Sequence, residues 1–230
     1  MNKLTVGSVF SGIGGIDLGF EQAGLKIAWQ CEINEYCRNK LANHWPSITL
    51  FKNVNYDFFP NVDVLVGGVP CQPVSQAAAR SNRGSNWLWS AFFKHIKTMR
   101  PKYAILENPE ALRFSNRGLG NVLSNLASIG YDAEWTVLRA SDFGAPHKRA
   151  RIWVVAYPNS SSESNRVFND ETPKLQEFGK SFWEQNAPRD LQMVDGLSSR
   201  MALRAYGNSV LPDMADYVGN CIIKHSKGRK

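Results

Sequence analysis

Apolar and β-branched residues gather in six short runs along the 230-residue chain, at positions 4–10, 25–30, 62–66, 103–106, 134–138 and 152–155. Runs of that length, bounded by Gly, Pro and Asn, predict buried strands. Between them fall stretches of helical periodicity at 17–23, 35–44, 87–99 and 119–129, stopped by Gly24, Pro46, Pro101 and Gly130. Gly ends a helix by adopting the left-handed conformation, and Pro by lacking the N–H that the next turn needs. Strands alternating with helices predict an α/β fold on a doubly wound, mostly parallel sheet.

The pattern breaks at Pro158, where PNSSSESN opens a polar stretch that runs with little periodicity to about Asp195 and holds Pro173, Gly179 and Pro188. This divides the chain into a main domain at 1–156, a small irregular insert at 157–195, and a segment at 196–230 that returns to the main domain. That last segment carries a helix predicted from residue 212 to about 224, with proline at its first turn, where no N–H is needed. No internal repeat is visible.

Composition narrows the picture less than the distribution of charge does. The net charge is +7 and the pI about 9.3, a balance that favours a polyanionic partner. Residues 157–195 hold seven acids against four bases, which leaves +10 on the remainder. A nucleic acid would therefore be attracted mainly by the rest of the chain. Cys31, Cys37, Cys71 and Cys221 are too few and too scattered for a disulfide framework and have no zinc-site spacing, so no metal is expected. The amino-terminal residues make a poor signal peptide and no window approaches a transmembrane span, so no membrane partner is expected and the setting is a reducing cytoplasm.

The polar residues of interest fall just past strand ends, where open α/β sheets bind ligands. Phe10-Ser11-Gly12-Ile13-Gly14-Gly15 follows the first strand, Glu32 the second, Cys71 the run at 62–66, and Glu107-Asn108-Pro109 the run at 103–106. The glycine loop begins like a dinucleotide fingerprint but has Asp17 where the third glycine would stand. Glu32, twenty residues past Gly12, suits a ribose diol. Nicotinamide and adenosyl ligands both fit these two features. A carboxylate at the helix entrance opposes a pyrophosphate but not a cationic adenosyl sulfonium, which favours the latter. Taken singly, each residue has an ordinary explanation: an inert buried cysteine, two helix-capping glutamates, a solvated Arg149 and Arg151, a turn at Asn208. What those explanations leave out is why all of them surround one crevice.

Five motifs occur in order along the chain: FSGIGGIDLGFEQAG at 10–24, GGVPCQPVS at 67–75, ENP at 107–109, FGAPHKRARIWVVA at 143–156 and YGNSVLP at 206–212. In these motifs the chain resembles the DNA cytosine-5 methyltransferase family. The match covers nearly the whole chain outside 157–195.

The resemblance implies a Rossmann-like methyltransferase fold, S-adenosyl-L-methionine as methyl donor, and a cytosine flipped out of double-stranded DNA as acceptor. Cys71 matches the nucleophile that adds to C6 and makes C5 reactive. Glu107 would donate a proton or strong hydrogen bond at N3, which requires a carboxyl pKa raised by burial. Arg151 would stabilise charge at O2, with Arg149 meeting phosphate. Around the cofactor, Phe10 would stack on adenine, the backbone of Gly12, Ile13 and Gly14 would approach the methionine end, and Glu32 would hold the ribose. Ile33 would cover the other face of adenine, with Asn53, Leu88 and Asn208 completing the pocket.

The chain departs from the family pattern in four places. Asn53, with Asp57 nearby, stands where the family has an aspartate; His147 replaces a glutamine; Pro109 follows Glu-Asn where valine is commoner. The fourth is the insert, far shorter than the family's target-recognition domain. It implies a short target, loose specificity, a homodimer, or a missing recognition partner. A role in restriction-modification or phage DNA protection in a bacterial host follows by resemblance. The alternatives are a tRNA cytosine-5 methyltransferase and an inactive nucleic-acid-binding relative.

Overall fold

The computed structural model describes residues 2–56, 58–70, 88–114, 118–145, 148–159, 166–168 and 209–228. The first half of the chain forms β1 (Thr5–Val9), α1 (Gly15–Gln22), β2 (Lys26–Cys31), α2 (Glu35–His44), β3 (Thr49–Phe51) and β4 (Val64–Gly68). Then come α3 (Trp89–Met99), β5 (Tyr103–Pro109), a 3-10 turn at Glu110–Phe114, α4 (Leu119–Ser128) and β6 (Tyr131–Arg139). A second 3-10 turn at Ala140–Phe143 leads to β7 (Ala150–Pro158), and α5 spans Pro212–Gly228.

Among the described residues the seven strands make one sheet in the order β3-β2-β1-β4-β5-β7-β6. β7 pairs antiparallel with β5 and β6, and every other adjacent pair is parallel. The doubly wound, mostly parallel α/β sheet expected from the sequence is what forms. Its strand order reverses between β1 and β4, and at such a switch point the flanking loops diverge and leave a crevice.

Both faces of the sheet are covered, which is why its central strands read as unbroken apolar runs. Along β5 and β7 the side chains alternate between two cores. Ile105, Trp153 and Val155 join Phe20 of α1 and Met214, Val218 and Ile222 of α5 on one face. Ala104, Leu106, Ile152 and Val154 join Phe92 and Ile96 of α3 and Val122 and Leu126 of α4 on the other.

Several boundaries differ from the sequence expectation, each for a local reason. The first strand stops at Val9 because Phe10 takes a left-handed backbone, φ 56°. β5 runs on to Pro109 because antiparallel β7 keeps pairing after parallel β4 has ended at the Gly68 and Glu107 pair. β6 is longer than 134–138 because much of it is half-exposed and carries no apolar run. β3, three residues long, was not expected at all. Residues 71–87, with Cys71, and 201–208, with Asn208, lie outside the described residues, as do Asp57, His147 and most of the insert. The described part of the insert packs on the sheet: Val167 is buried, and the Glu134 carboxylate accepts from the backbone N–H of Val167 (2.8 Å) and of Phe168 (3.3 Å).

Candidate active site

The loop after β1 turns on three left-handed residues, Phe10 (φ 56°), Gly12 (φ 58°) and Gly14 (φ 90°). For Phe10 that conformation costs about 1 kcal/mol, and the residue lines the cleft. Gly14 itself does not line it, while its neighbours Ile13 and Gly15 do. A Cβ on Gly14 would lie 2.5 Å from the Trp45 ring, so Gly14 is the seat on which α2 packs against the loop. Below, the Ser11 hydroxyl donates to the Ser8 hydroxyl (3.0 Å), which donates to Asp17 (3.2 Å). Asp17 also accepts from Gln30 (3.0 Å) and is fully buried, which pushes its pKa up to about 6. It therefore does not face a ligand at the helix entrance; it ties β1, β2 and α1 together underneath the loop.

Glu32 ends β2 half-buried, with each carboxylate oxygen held by a backbone donor, Gly12 N–H at 2.8 Å and Asn34 N–H at 2.8 Å. Each oxygen keeps a lone pair for a further donor, the pattern that a vicinal diol fits. Arg38, six residues on, donates to the carbonyls of Glu32 (3.2 Å) and Ile33, and Asn34 caps α2 by accepting from the Cys37 N–H. Ile33 is 77% exposed at the rim. Gly12, Ile13, Ile33, Asn53 and Leu88 all line the cleft, which encloses about 650 Å³, within the usual range for a small-molecule site. The Oδ1 of Asn53 accepts from Asn55 N–H (2.9 Å), which leaves its Nδ2 as the group available to a ligand.

Glu107 and Arg151 close the other end of the cleft. Glu107 lies within β5 rather than beyond it, and Arg151 Nε stands 2.9 Å from its Oε1, in ion-pair range but without an aligned hydrogen bond. Burial pushes the Glu107 carboxyl up to about 7 against the opposing pull of Arg151 and Arg149. A neutral fraction at physiological pH gives the site a proton to donate. Arg149 is half-buried near this pair and does not line the cleft; burial and then Arg151 lower its pKa, while Glu107 raises it. The glycine pair before Cys71 has a use here, since a Cβ on Gly68 would sit 3.2 Å from Glu107 Oε2. Asn108, fully buried, donates to the Val69 carbonyl (3.0 Å), two residues before Cys71, and to the Glu107 carbonyl (2.7 Å).

The sequence reading gave no role to Asn108 and Arg38, which support the cleft from behind its lining, or to Lys52 of its wall. Asn108 was legible in its adjacency to Glu107, whereas Arg38 needed the helix phase relative to the strand end. Cys31 and Cys37 line the same cleft with thiols pushed up by burial, and then by Glu32, to about 12 and about 11, so neither is a nucleophile. Among the described residues no three His, Cys, Asp or Glu side chains gather as metal ligands, and no helix is long and apolar enough to cross a membrane.

Residues 4–194 match the family model for C-5 cytosine-specific DNA methylase. The chain is 30% identical over 173 residues to the type II methyltransferase M.DsaV of Dactylococcopsis salina, across 72% of this chain and 48% of that one. It is 32% identical over 184 residues to M.Bsp6I of Bacillus sp. (strain RFL6), across 74% and 57%. The matches thus span about half the length of these relatives. The fold superposes on a DNMT2 variant of Spodoptera frugiperda with a TM-score of 0.71 at 14% identity, covering 96% of this chain and 100% of that one. It superposes on a DNA modification methyltransferase encoded within an E. coli prophage with a TM-score of 0.65 at 18% identity, covering 98% and 100%.

Proposed function

The chain belongs to the C-5 cytosine-specific DNA methylase family, and from that premise we propose that it transfers the methyl group of S-adenosyl-L-methionine to C5 of a cytosine flipped out of double-stranded DNA. The observation that carries the reading is the buried Glu107 carboxyl, held near neutrality beside Arg151 at one end of a cleft whose other end presents the doubly anchored Glu32. That is an acid and a cation at one end and a diol-binding carboxylate at the other. The donor set fits the methyl donor, with Glu32 for the ribose and Phe10 and Ile33 for the purine.

Bound S-adenosyl-L-methionine supplies an electrophilic methyl group. The Cys71 thiolate adds to C6 of the cytosine, forming an S–C6 bond while the C5–C6 π electrons move to C5, which then takes the methyl group as the methyl–sulfonium bond breaks and its electron pair stays on the departing sulfur. As charge spreads toward N3 and O2, Glu107 holds a proton at N3 and Arg151 offsets charge at O2. Loss of the C5 proton returns electrons to the C5–C6 bond and breaks S–C6, freeing Cys71. Asn108, through the Val69 carbonyl, fixes the backbone leading to the nucleophile. Extruding the base costs a few kcal/mol, which the basic remainder of the chain offsets by holding phosphates.

The setting proposed is a bacterial cytoplasm, where such methylation serves restriction-modification or protects phage DNA. Bisulfite sequencing of plasmid DNA from cells expressing this chain, beside the Cys71→Ala form, tests the reading. Cytosines protected in one short context with the first and unprotected with the second are expected. No protection with either, together with label transfer to tRNA, overturns the DNA reading in favour of RNA.

A further inference from the structure

Residues 52–63 join β3 to β4, and the first four of them, Lys52, Asn53, Val54 and Asn55, form one wall of the cleft. A connection of this length holds a wall in place only if its backbone is anchored from outside. Among the described residues three side chains do so: the Thr5 hydroxyl accepts from the Asp63 N–H at 3.0 Å, Trp29 Nε1 donates to the Pro60 carbonyl at 2.9 Å, and, within the wall itself, His95 Nε2 stands 2.6 Å from the Val54 carbonyl. A carbonyl only accepts, so Nε2 carries the proton. His95 is 4% exposed on α3, with the Phe59 ring edge-on at 4.8 Å, and does not itself line the cleft. Its pKa is lowered by burial and by Lys94 against the Val54 carbonyl, so the ring is a neutral donor. Leu88, the residue that precedes α3, also lines the cleft. The bond therefore ties one cleft wall to the helix that carries another.

We propose that His95 is a positioning residue of the S-adenosyl-L-methionine site: its Nε2–H, held by the Val54 carbonyl, keeps the Asn53–Asn55 turn at the depth the ligand needs. This rests on the S-adenosyl-L-methionine reading of the cleft. A buried carbonyl left without its donor drives the turn to reorganise, and the ligand must then reverse that change on binding. Arg38 does the same for the neighbouring backbone after β2 from a more exposed position, so loss of His95 has the larger effect.

The test compares His95→Gln with His95→Met in the full chain. The two side chains have nearly the same length and volume, and only glutamine donates a hydrogen bond. Calorimetric titration with S-adenosyl-L-homocysteine needs no nucleic acid. The expected result is Kd raised roughly tenfold in the methionine form and within about threefold of the parent in the glutamine form, a difference that one buried hydrogen bond accounts for. In transfer assays KM for the methyl donor follows Kd, and kcat at saturation stays within about twofold. Equal affinities for the two variants, both folded by near-ultraviolet circular dichroism, overturn the assignment of His95 alone. No binding by the parent chain overturns the S-adenosyl-L-methionine reading and this inference with it.

Discussion

Two glutamates face the cleft from its opposite ends, and the fold treats them in opposite ways. Glu32 is gripped by two backbone N–H groups and keeps both oxygens turned to a ligand. Glu107 is buried, accepts no aligned hydrogen bond at Oε1 and is pushed up to about 7 with only guanidinium groups opposing the rise. One site is built to keep an anion where a diol can reach it, the other to keep a proton. Pairs of carboxylates whose surroundings differ in this way divide the work of a site between binding and proton transfer.

The sharpest way to break that division is Glu107→Gln. The amide keeps the shape and the neutral charge but cannot pass a proton, so single-turnover transfer to duplex DNA falls by roughly 10²- to 10⁴-fold while S-adenosyl-L-homocysteine binding is unchanged. The sign of the pH effect is fixed by the direction of the shift. Glu107 is protonated below about 7, so the step that uses its proton slows as pH rises through that value, and the glutamine form lacks this limb. A loss that appears in cofactor affinity instead would show that Glu107 belongs to the binding end.

Glu32→Gln tests the other end and has a smaller effect. One of the two backbone N–H donors then faces an amide NH₂ in place of an acceptor, and the ribose loses a charged partner. Kd for the methyl donor rises roughly 10- to 100-fold, with kcat at saturation little changed. A fall in kcat without a change in Kd would merge the two ends into one machinery.

How far this division was legible in the sequence depends on which backbone groups are involved. Glu32 was placed by its spacing from Gly12, and the structure joins those two residues directly through the Gly12 N–H. The Glu107 position was legible, but its setting was not. The sequence suggested a residue past a strand end; it stands inside β5 because it still pairs with Gly68 of β4 and antiparallel β7 carries the ladder on beyond it, and pairing partners leave no mark in an apolar run. Phe10 reads as strand because it is aromatic and follows valine, and only the packing of the glycine loop turns it left-handed. Asp17 was misread for a related reason. Periodicity puts it in the first turn of α1, but whether it points out to the ligand or in to Ser8 and Gln30 is decided by those partners on two strands.

Asp17 supplies the finest test, a third carboxyl near the cleft that shares the raised pKa of Glu107 without sharing its place. Its folded-state pKa of about 6 lies above the unfolded value of 3.8, so the native state keeps a proton that the unfolded chain has released. The stability this contributes is fully present below the unfolded value and is lost as pH rises through 6. Urea unfolding at pH 5 and at pH 7.5 therefore shows a loss on the order of 1 kcal/mol from this group. Glu107 contributes in the same sense in both proteins, so the difference in slope between the parent and Asp17→Asn isolates Asp17. A shallower slope in the asparagine form is expected, with Kd for S-adenosyl-L-homocysteine within about twofold of the parent. Equal slopes would mean that Asp17 holds its proton no more tightly when folded. A weakened Kd would mean that the support beneath the glycine loop, and not its rim alone, sets the geometry that Glu32 offers to the ligand.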